Sequence, residues 1–209
     1  MTRMVLASRS PARLKLLRQA GVDPFVMVPT IDEEALAESL SPTSPEDVVL
    51  ALARAKASDV VARLPGDILS DCIVLGCDTL LLLGNDLYGK PGSTEAAVAQ
   101  WKIMSGAIGR ILTGHALLRV KAGSILSTET RPASADVYFG NPTDEEVAAY
   151  VTSGEPIETA GAFTLDGLGG WFVERIEGHP STVIGLSLPE LYQMVCRTGL
   201  SLHALWRSR

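Results

Sequence analysis

One carboxylate, Asp78, stands at a position that suits catalysis. It comes shortly after a predicted strand at 73–76, which is apolar enough to be buried on both faces. Open α/β sheets bind ligands at the carboxyl ends of their strands, where a carboxylate can ligate a metal ion or act as a general base. An aspartate that only forms a turn fits the same pattern, so the residue alone leaves both interpretations open.

A turn rich in hydroxyl and basic groups, residues 7–13, separates a predicted strand from a predicted helix. Ser10 is a good N-cap and Pro11 fits the first helical position. Because the first N–H groups of a helix have no partner inside it, such a turn attracts anions, and Ser8 and Arg13 would add donors and charge. The alternative is that Ser10 only caps the helix and the basic side chains face solvent.

The segment 84–91 comes close to the phosphate-binding pattern G-x-x-x-x-G-K-[ST], but we reject the match. Pro91 occupies the place of the Ser or Thr that would hold Mg²⁺, and a residue before proline is biased away from helical conformation. The segment is more typical of a hairpin between strands at 80–83 and 87–88. Lys90 could still contact a phosphate as a point charge.

Three further residues are candidates on weaker grounds. Glu33 lies in the acidic stretch 32–34, which either supplies a metal ligand or forms a solvated loop. Lys56 lies on a predicted helix with an apolar face and points either into a cleft or into water. Asp166 lies in the glycine-rich stretch 161–170, which either lets a planar base approach the backbone or forms tight turns.

Composition limits the classes of function. The chain has 209 residues, 46% of them hydrophobic, and a formal net charge of −6. This acidity argues against a nucleic-acid-binding protein but not against a nucleotide substrate. The sequence holds no apolar run long enough to span a membrane, and the apolar stretch near its start is too short for a signal peptide. The odd cysteine count favours buried thiols in a cytoplasmic protein; these are Cys72, Cys77 and Cys196.

Strands and helices alternate early, and an antiparallel pair is inserted late. This order predicts an α/β fold with a mixed sheet and flanking helices. No segment is long enough to act as a linker, so we expect a single domain over 1–209. The predicted strands are 4–7, 25–28, 73–76, 80–83, 87–88, 111–120, 124–138, 171–176 and 182–186, and the predicted helices are 12–20, 44–64, 94–104, 143–151 and 189–196.

The ordered set of short motifs resembles the Maf family of septum-formation-associated nucleotide pyrophosphatases. Each motif is weak alone, but the series runs in the family's order from about residue 4 to residue 195. The stretch 6–17 is similar to the family's L-A-S-x-S-P-R-R-x-x-L-L, 31–33 to V-D-E, 76–79 to G-A-D-T and 89–91 to G-K-P. The resemblance continues through the helix segment around Lys56 and through Gly154-Glu155-Pro156, Ala160-Gly161, Gly167-Leu168-Gly169 and Val183-Ile184-Gly185-Leu186.

The resemblance implies a two-lobed fold with a central cleft, like that of inosine triphosphate pyrophosphatases. It implies hydrolysis of a nucleoside triphosphate to the monophosphate and pyrophosphate with Mg²⁺ or Mn²⁺, a house-cleaning role against non-standard nucleotides, and a homodimer. Asp78 matches the family's proton acceptor, and Glu33 is the candidate for a second metal ligand beside it. The implied phosphate-binding residues are Ser8, Arg13, Lys56 and Lys90. The alternative is a non-catalytic nucleotide-binding or cell-division regulatory module.

Two departures from the family pattern bear on the choice of base. Ala12 replaces the first arginine of S-P-R-R, and Asp166 stands where members that hydrolyse dTTP and UTP have glutamine, although Thr79 is kept. Losing a guanidinium and an amide changes which base edges can be hydrogen-bonded. Thr79 and Asp166 are therefore expected substrate contacts, but the pyrimidine preference does not carry over, and a methylated-guanine or broader preference stays open.

Overall fold

Seven strands form a mixed sheet in the computed structural model, which describes residues 2–40 and 43–206. The sheet order is β2-β1-β3-β5-β6-β7, and the short strand β4 pairs with β3. In chain order the strands are β1 (Arg3–Ala7), β2 (Phe25–Val26), β3 (Asp71–Leu83), β4 (Asp86–Tyr88), β5 (Ile108–Lys121), β6 (Ser124–Phe139) and β7 (Val173–Gly178).

Eight α-helices accompany these strands in the described part of the chain. Side chains predicted to cap them do so: Ser10 accepts from the N–H of Arg13, and Thr143 and Glu146 form a reciprocal capping box. The helices are α1 (Pro11–Gln19), α2 (Glu33–Ser39), α3 (Pro45–Arg63), α4 (Gly66–Leu69), α5 (Thr94–Met104), α6 (Asp144–Thr152), α7 (Pro180–Ile184) and α8 (Leu188–Arg197). The predicted α/β class with a mixed sheet and flanking helices is confirmed.

The chain divides into two compact units. Unit 1 comprises Met1–Asp78, Thr113–Ala133 and Gly185–Arg209, and unit 2 comprises Thr79–Leu112 and Ser134–Ile184. Each unit is built from segments that are separate in sequence, because β3, β5 and β6 each contribute residues to both. The expectation that residues 1–209 form a single domain stays a prediction.

In unit 1, helix α3 packs directly on the sheet. β1 runs parallel to both β2 and β3, and Ala7 lies opposite Gly76. A Cβ atom at Gly76 would lie 2.1 Å from the carbonyl oxygen of Ala53, and one at Gly114 would lie 2.2 Å from that of Val49. No side chain other than hydrogen fits at either position, so these two glycines let the backbone of α3 touch β3 and β5.

In unit 2, the core is built around Trp101 on α5. Its ring meets those of Phe139, Tyr150 and Phe172 edge to face at 5.5–5.8 Å between centroids. The buried indole N–H donates to the carbonyl of Ala162 at 2.8 Å. The hairpin of β3 and β4 forms as predicted, and it confirms that the segment beginning at 84 does not open a helix.

One predicted strand is wrong. The strand predicted at 182–186 is replaced by the helix α7, which covers Pro180–Ile184, although Thr182, Val183 and Ile184 are β-branched residues that favour strands. The start signal lies just before it: the Nδ1 atom of His179 accepts from the N–H of Ser181, and proline suits a first helical turn.

The prediction of three buried thiols holds for two of the three cysteines. Cys72 and Cys77 are buried as predicted, and burial raises the pKa of Cys77 to about 11. Cys196 is exposed, because it lies on the outer side of α8, so the prediction of three buried thiols is wrong for this residue.

Within residues 2–40 and 43–206, none of the helices is both long and apolar enough to cross a membrane.

Candidate active site

Three of the predicted site residues meet in unit 1. The ammonium of Lys56 lies 2.6 Å from Oδ1 of Asp78 and 2.7 Å from Oε2 of Glu33. Lys56 and Asp78 are buried, whereas about half of the Glu33 side chain is exposed. One buried cation therefore bridges a buried carboxylate and a second carboxylate that reaches solvent.

Backbone geometry brings these three side chains together. Asp78 lies on β3 two residues after Gly76, where α3 is in direct contact with the sheet, and that helix carries Lys56. Glu33 begins α2, whose N-cap is Asp32. The cluster thus draws on one strand and two helices.

The segment that leads to Glu33 is held by two residues of α3 that come after Lys56 in the sequence, Asp59 and Arg63. Asp59 accepts from the N–H of Thr30 at 2.9 Å, and Arg63 donates to the carbonyl of Val28 at 2.9 Å. The hydrogen bond from Arg63 holds the pKa of Asp59 below its usual value. Spacings of three and four residues place both on the helix face that carries Lys56.

The second oxygen of Asp78 is a buried acceptor that finds no hydrogen-bond partner in the described residues. A buried polar atom without a partner is costly, and where one persists it points to a ligand, water or ion. With Glu33 it offers two carboxylates, the hard oxygen donors that Mg²⁺ and Mn²⁺ prefer. Residues 2–40 and 43–206 hold no group of three or more His, Cys, Asp or Glu suited to a metal. Two carboxylates nevertheless fit Mg²⁺, which usually keeps several waters and shares substrate phosphates.

The turn before α1 lies at the end of β1 in the same unit. Ser8 is buried, and its Oγ accepts from the N–H of Ser10 and from Nη1 of Arg13, both at 3.1 Å. Arg13 is also buried, and it donates to the carbonyls of Cys77 at 3.0 Å and Gly185 at 2.7 Å. Because both lone pairs of the Ser8 hydroxyl are used, its hydrogen is left to donate.

The other three predicted residues belong to unit 2. Lys90 is exposed and lies 3.2 Å from Glu158, a surface pair of little energetic weight. Thr79 is buried at the start of the unit, and Asp166 lies on an exposed turn of the glycine-rich stretch. The structure groups Ser8 and Arg13 in one turn and Glu33, Lys56 and Asp78 in one cluster. The roles of all eight residues stay predictions.

Sequence reasoning missed the role of Glu155. Its carboxylate accepts from the hydroxyls of Tyr150 and Thr164 and from the N–H groups of Leu168 and Gly169. Burial alone would raise the pKa of Glu155, but these hydrogen bonds outweigh it, and the pKa lies below its ordinary value. Glu155 therefore holds the turn that carries Asp166.

These features define a class: an α/β protein in which a buried aspartate within a strand of the sheet pairs with a lysine of a helix, and in which the first strand leads into a turn suited to an anion. The chain belongs to the Maf family, since the family model described as Maf-like protein matches residues 3–198. A relative in Mycolicibacterium vanbaalenii named nucleoside triphosphate pyrophosphatase is 57% identical over 208 residues, covering 99% of this chain and 100% of the relative. A relative of the same name in Rhodococcus erythropolis is 49% identical, covering 100% and 99%.

Among solved structures, the Staphylococcus aureus Ham1 protein is 13% identical to the chain, with a TM-score of 0.45, and covers 95% of this chain and 100% of its own. The resemblance to the Maf family that the motifs indicated is confirmed by the family model and by the relatives in Mycolicibacterium vanbaalenii and Rhodococcus erythropolis. The prediction of a hydrolase is confirmed with it.

Proposed function

We propose that this chain is a nucleoside triphosphate pyrophosphatase, a hydrolase that splits a phosphorus-containing anhydride to give a monophosphate and pyrophosphate. The observation that carries the proposal is the Asp78 carboxylate, with one oxygen paired to Lys56 and the other buried without a partner. The names of relatives at 49% and 57% identity support the substrate class.

Asp78 is the general base in this proposal. Attack on the α-phosphorus needs a water molecule whose proton is removed as the new bond forms. The unpartnered oxygen of Asp78 is the acceptor for that proton, while Lys56 holds the other oxygen and fixes the orientation of the carboxylate. Burial keeps bulk water away, which strengthens electrostatic interactions in the cluster.

The turn at Ser8 is the proposed phosphate contact in unit 1. The Ser8 hydroxyl is oriented by two hydrogen bonds that it accepts, so it donates to a phosphate oxygen without first having to reorganise. The start of α1 adds partial positive charge. Lys90, Thr79 and Asp166 are proposed as further substrate contacts on the family resemblance.

Glu33 and Asp78 are the residues that would hold a divalent cation. When bound, Mg²⁺ or Mn²⁺ would offset the negative charge of the triphosphate. Glu33 suits this role because its carboxylate reaches solvent and can exchange the Lys56 contact for a cation. We also propose the house-cleaning role and the homodimer that the resemblance implies, and the cytoplasmic location that the cysteine usage favours.

A nucleotide panel tests the activity and finds the preferred base. The purified protein is incubated with standard and modified nucleoside triphosphates, with Mg²⁺ and separately with Mn²⁺, and the products are separated by chromatography. We expect monophosphate and pyrophosphate, and activity that a chelator abolishes. Diphosphate with orthophosphate, or no turnover of any nucleotide, would contradict the proposal.

A further inference from the structure

A buried histidine in unit 1, His115 on β5, takes no part in the proposed chemistry but is fully hydrogen-bonded. Its Nε2 accepts from the N–H of Ser187 at 2.9 Å, and its Nδ1 lies 3.0 Å from the carbonyl oxygen of Arg131. An amide can only donate, so Nε2 carries no proton and Nδ1–H donates to Arg131. The imidazole is therefore neutral, in one defined tautomer.

The environment keeps it neutral. The pKa of His115 is lowered to about 4, chiefly by burial; the hydrogen bond to Arg131 works in the opposite direction, and the charge of Arg13 adds to the lowering. Its relative exposure is 0%, so no solvent replaces a lost partner.

The hydrogen bond to Ser187 continues through buried groups toward the proposed site. Ser187 lies two residues after Gly185, whose carbonyl accepts from Nε of Arg13 at 2.7 Å. The same guanidinium then donates to Ser8 and to the carbonyl of Cys77, the residue before Asp78. The connection thus runs from the imidazole through one short backbone segment and one guanidinium to both parts of the site.

We propose that His115 is a positioning residue for the pyrophosphatase reaction, which fixes the segment 185–187 so that Arg13 can hold the Ser8 hydroxyl and the backbone beside Asp78. The proposal rests on the proposed function. It assigns His115 no contact with substrate and no proton transfer.

Arg119 offers a matched control in the same unit. Like Arg13 it is buried, and it donates to a carbonyl of β3, that of Cys72, at 2.9 Å. It also donates to the carbonyl of Val120 and pairs with Asp71, so its contacts lie at the opposite end of the strand segment from Asp78. Removing it damages buried polar contacts in unit 1 without touching the connection from His115.

Two polar substitutions separate positioning from a general structural role. In His115→Gln the amide oxygen lies near the place of Nε2 and can accept from Ser187, whereas in His115→Asn the shorter amide reaches only toward Arg131. We expect His115→Gln to keep most of the wild-type kcat/KM and His115→Asn to lose about 10- to 100-fold, as small displacements near reacting groups do. Arg119→Gln should lower the melting temperature and leave kcat/KM unchanged per folded molecule.

Equal kcat/KM in His115→Gln and His115→Asn would overturn the proposal, provided that wild type releases pyrophosphate. A wild-type protein without activity contradicts the proposed function instead, so the two failures are distinguishable. If neither variant folds, the ¹⁵N shifts of the wild-type imidazole decide. A neutral ring protonated at Nδ1 at pH 7 supports the proposal, and a charged ring or an Nε2–H tautomer overturns it.

Discussion

Two carboxylates, the half-buried Glu155 in unit 2 and the buried Asp78 in unit 1, are held in opposite ways. Glu155 in unit 2 accepts four hydrogen bonds, and its hydrogen-bonding capacity goes into fixing one turn. Asp78 in unit 1 is held at one oxygen by Lys56 and keeps the other without a partner. The fully bonded carboxylate stabilises structure, whereas the partly bonded one is available to a ligand. Substitutions at these two carboxylates and at Lys56 test this contrast.

Substituting Asp78 by asparagine should abolish turnover while keeping the fold. Asparagine has the same shape but cannot take a proton from water, so we expect kcat to fall by about 10³-fold. Pyrophosphate release measures the loss, and circular dichroism checks the fold. Asp136→Asn, which alters an aspartate paired with Arg110 on the surface, should stay active. A fully active Asp78→Asn protein would remove Asp78 from the mechanism.

Substituting Lys56 by methionine should impair both activity and stability. The change leaves Asp78 buried without a counter-charge, and we expect the free energy of unfolding to fall by about 3 kcal/mol. Two carboxylates without the ammonium attract a divalent cation more strongly, so Mn²⁺ should raise the melting temperature of this variant more than that of wild type. Equal shifts in the two proteins would show that Glu33 and Asp78 do not form the cation site.

Substituting Glu155 by glutamine should weaken structure far more than catalysis. One acceptor oxygen becomes an NH₂ group that faces donors, and we expect a loss of about 2 kcal/mol in the free energy of unfolding in urea. Glu158→Gln is the control, since Glu158 pairs with Lys90 on the surface. If Glu155→Gln is as stable as wild type but inactive, the contrast between the two carboxylates is wrong.

The pH dependence of stability should also report on Glu155, with a smaller effect. Its pKa in the folded protein lies below 4.5, its value when unfolded, so its contribution is complete above pH 4.5 and is lost as pH falls through the folded pKa. The difference in unfolding free energy between wild type and Glu155→Gln should therefore shrink below pH 4.5. A difference that stays constant down to pH 3 would show that the charged form of Glu155 contributes nothing.

Local signals in the sequence predicted many of the elements. Ser10 and Pro11 predict the start of α1, and the capping box at Thr143 predicts the start of α6, because capping interactions lie within a single turn of helix. The helix α7 escaped prediction since its β-branched residues favour a strand, and its start depends on the ring of His179. The short helix α2 also went unpredicted because its acidic start is equally typical of a loop.

The site was predicted less evenly. The predicted end of a strand at 76 singled out Asp78, although β3 in fact runs on through Asp78 to Leu83. The family motifs added Lys56, but neither signal could show that one oxygen of Asp78 has no partner in the described residues. The partners of Glu155 and His115 lie up to 14 and 72 residues away in the sequence, so no local pattern marks them. Such contacts arise only when the folded backbone brings distant segments together.

The absence of side chains at Gly76 and Gly114 has a consequence for how this protein can change. Main-chain atoms alone determine how closely α3 approaches β3 and β5. The distance between Lys56 on the helix and Asp78 on the strand therefore depends on this backbone contact. Substituting Lys56 or Asp78 alters the chemistry but keeps the spacing between the helix and the strands. A single methyl group at either glycine would instead displace a 19-residue helix as one body, and the ion pair with it.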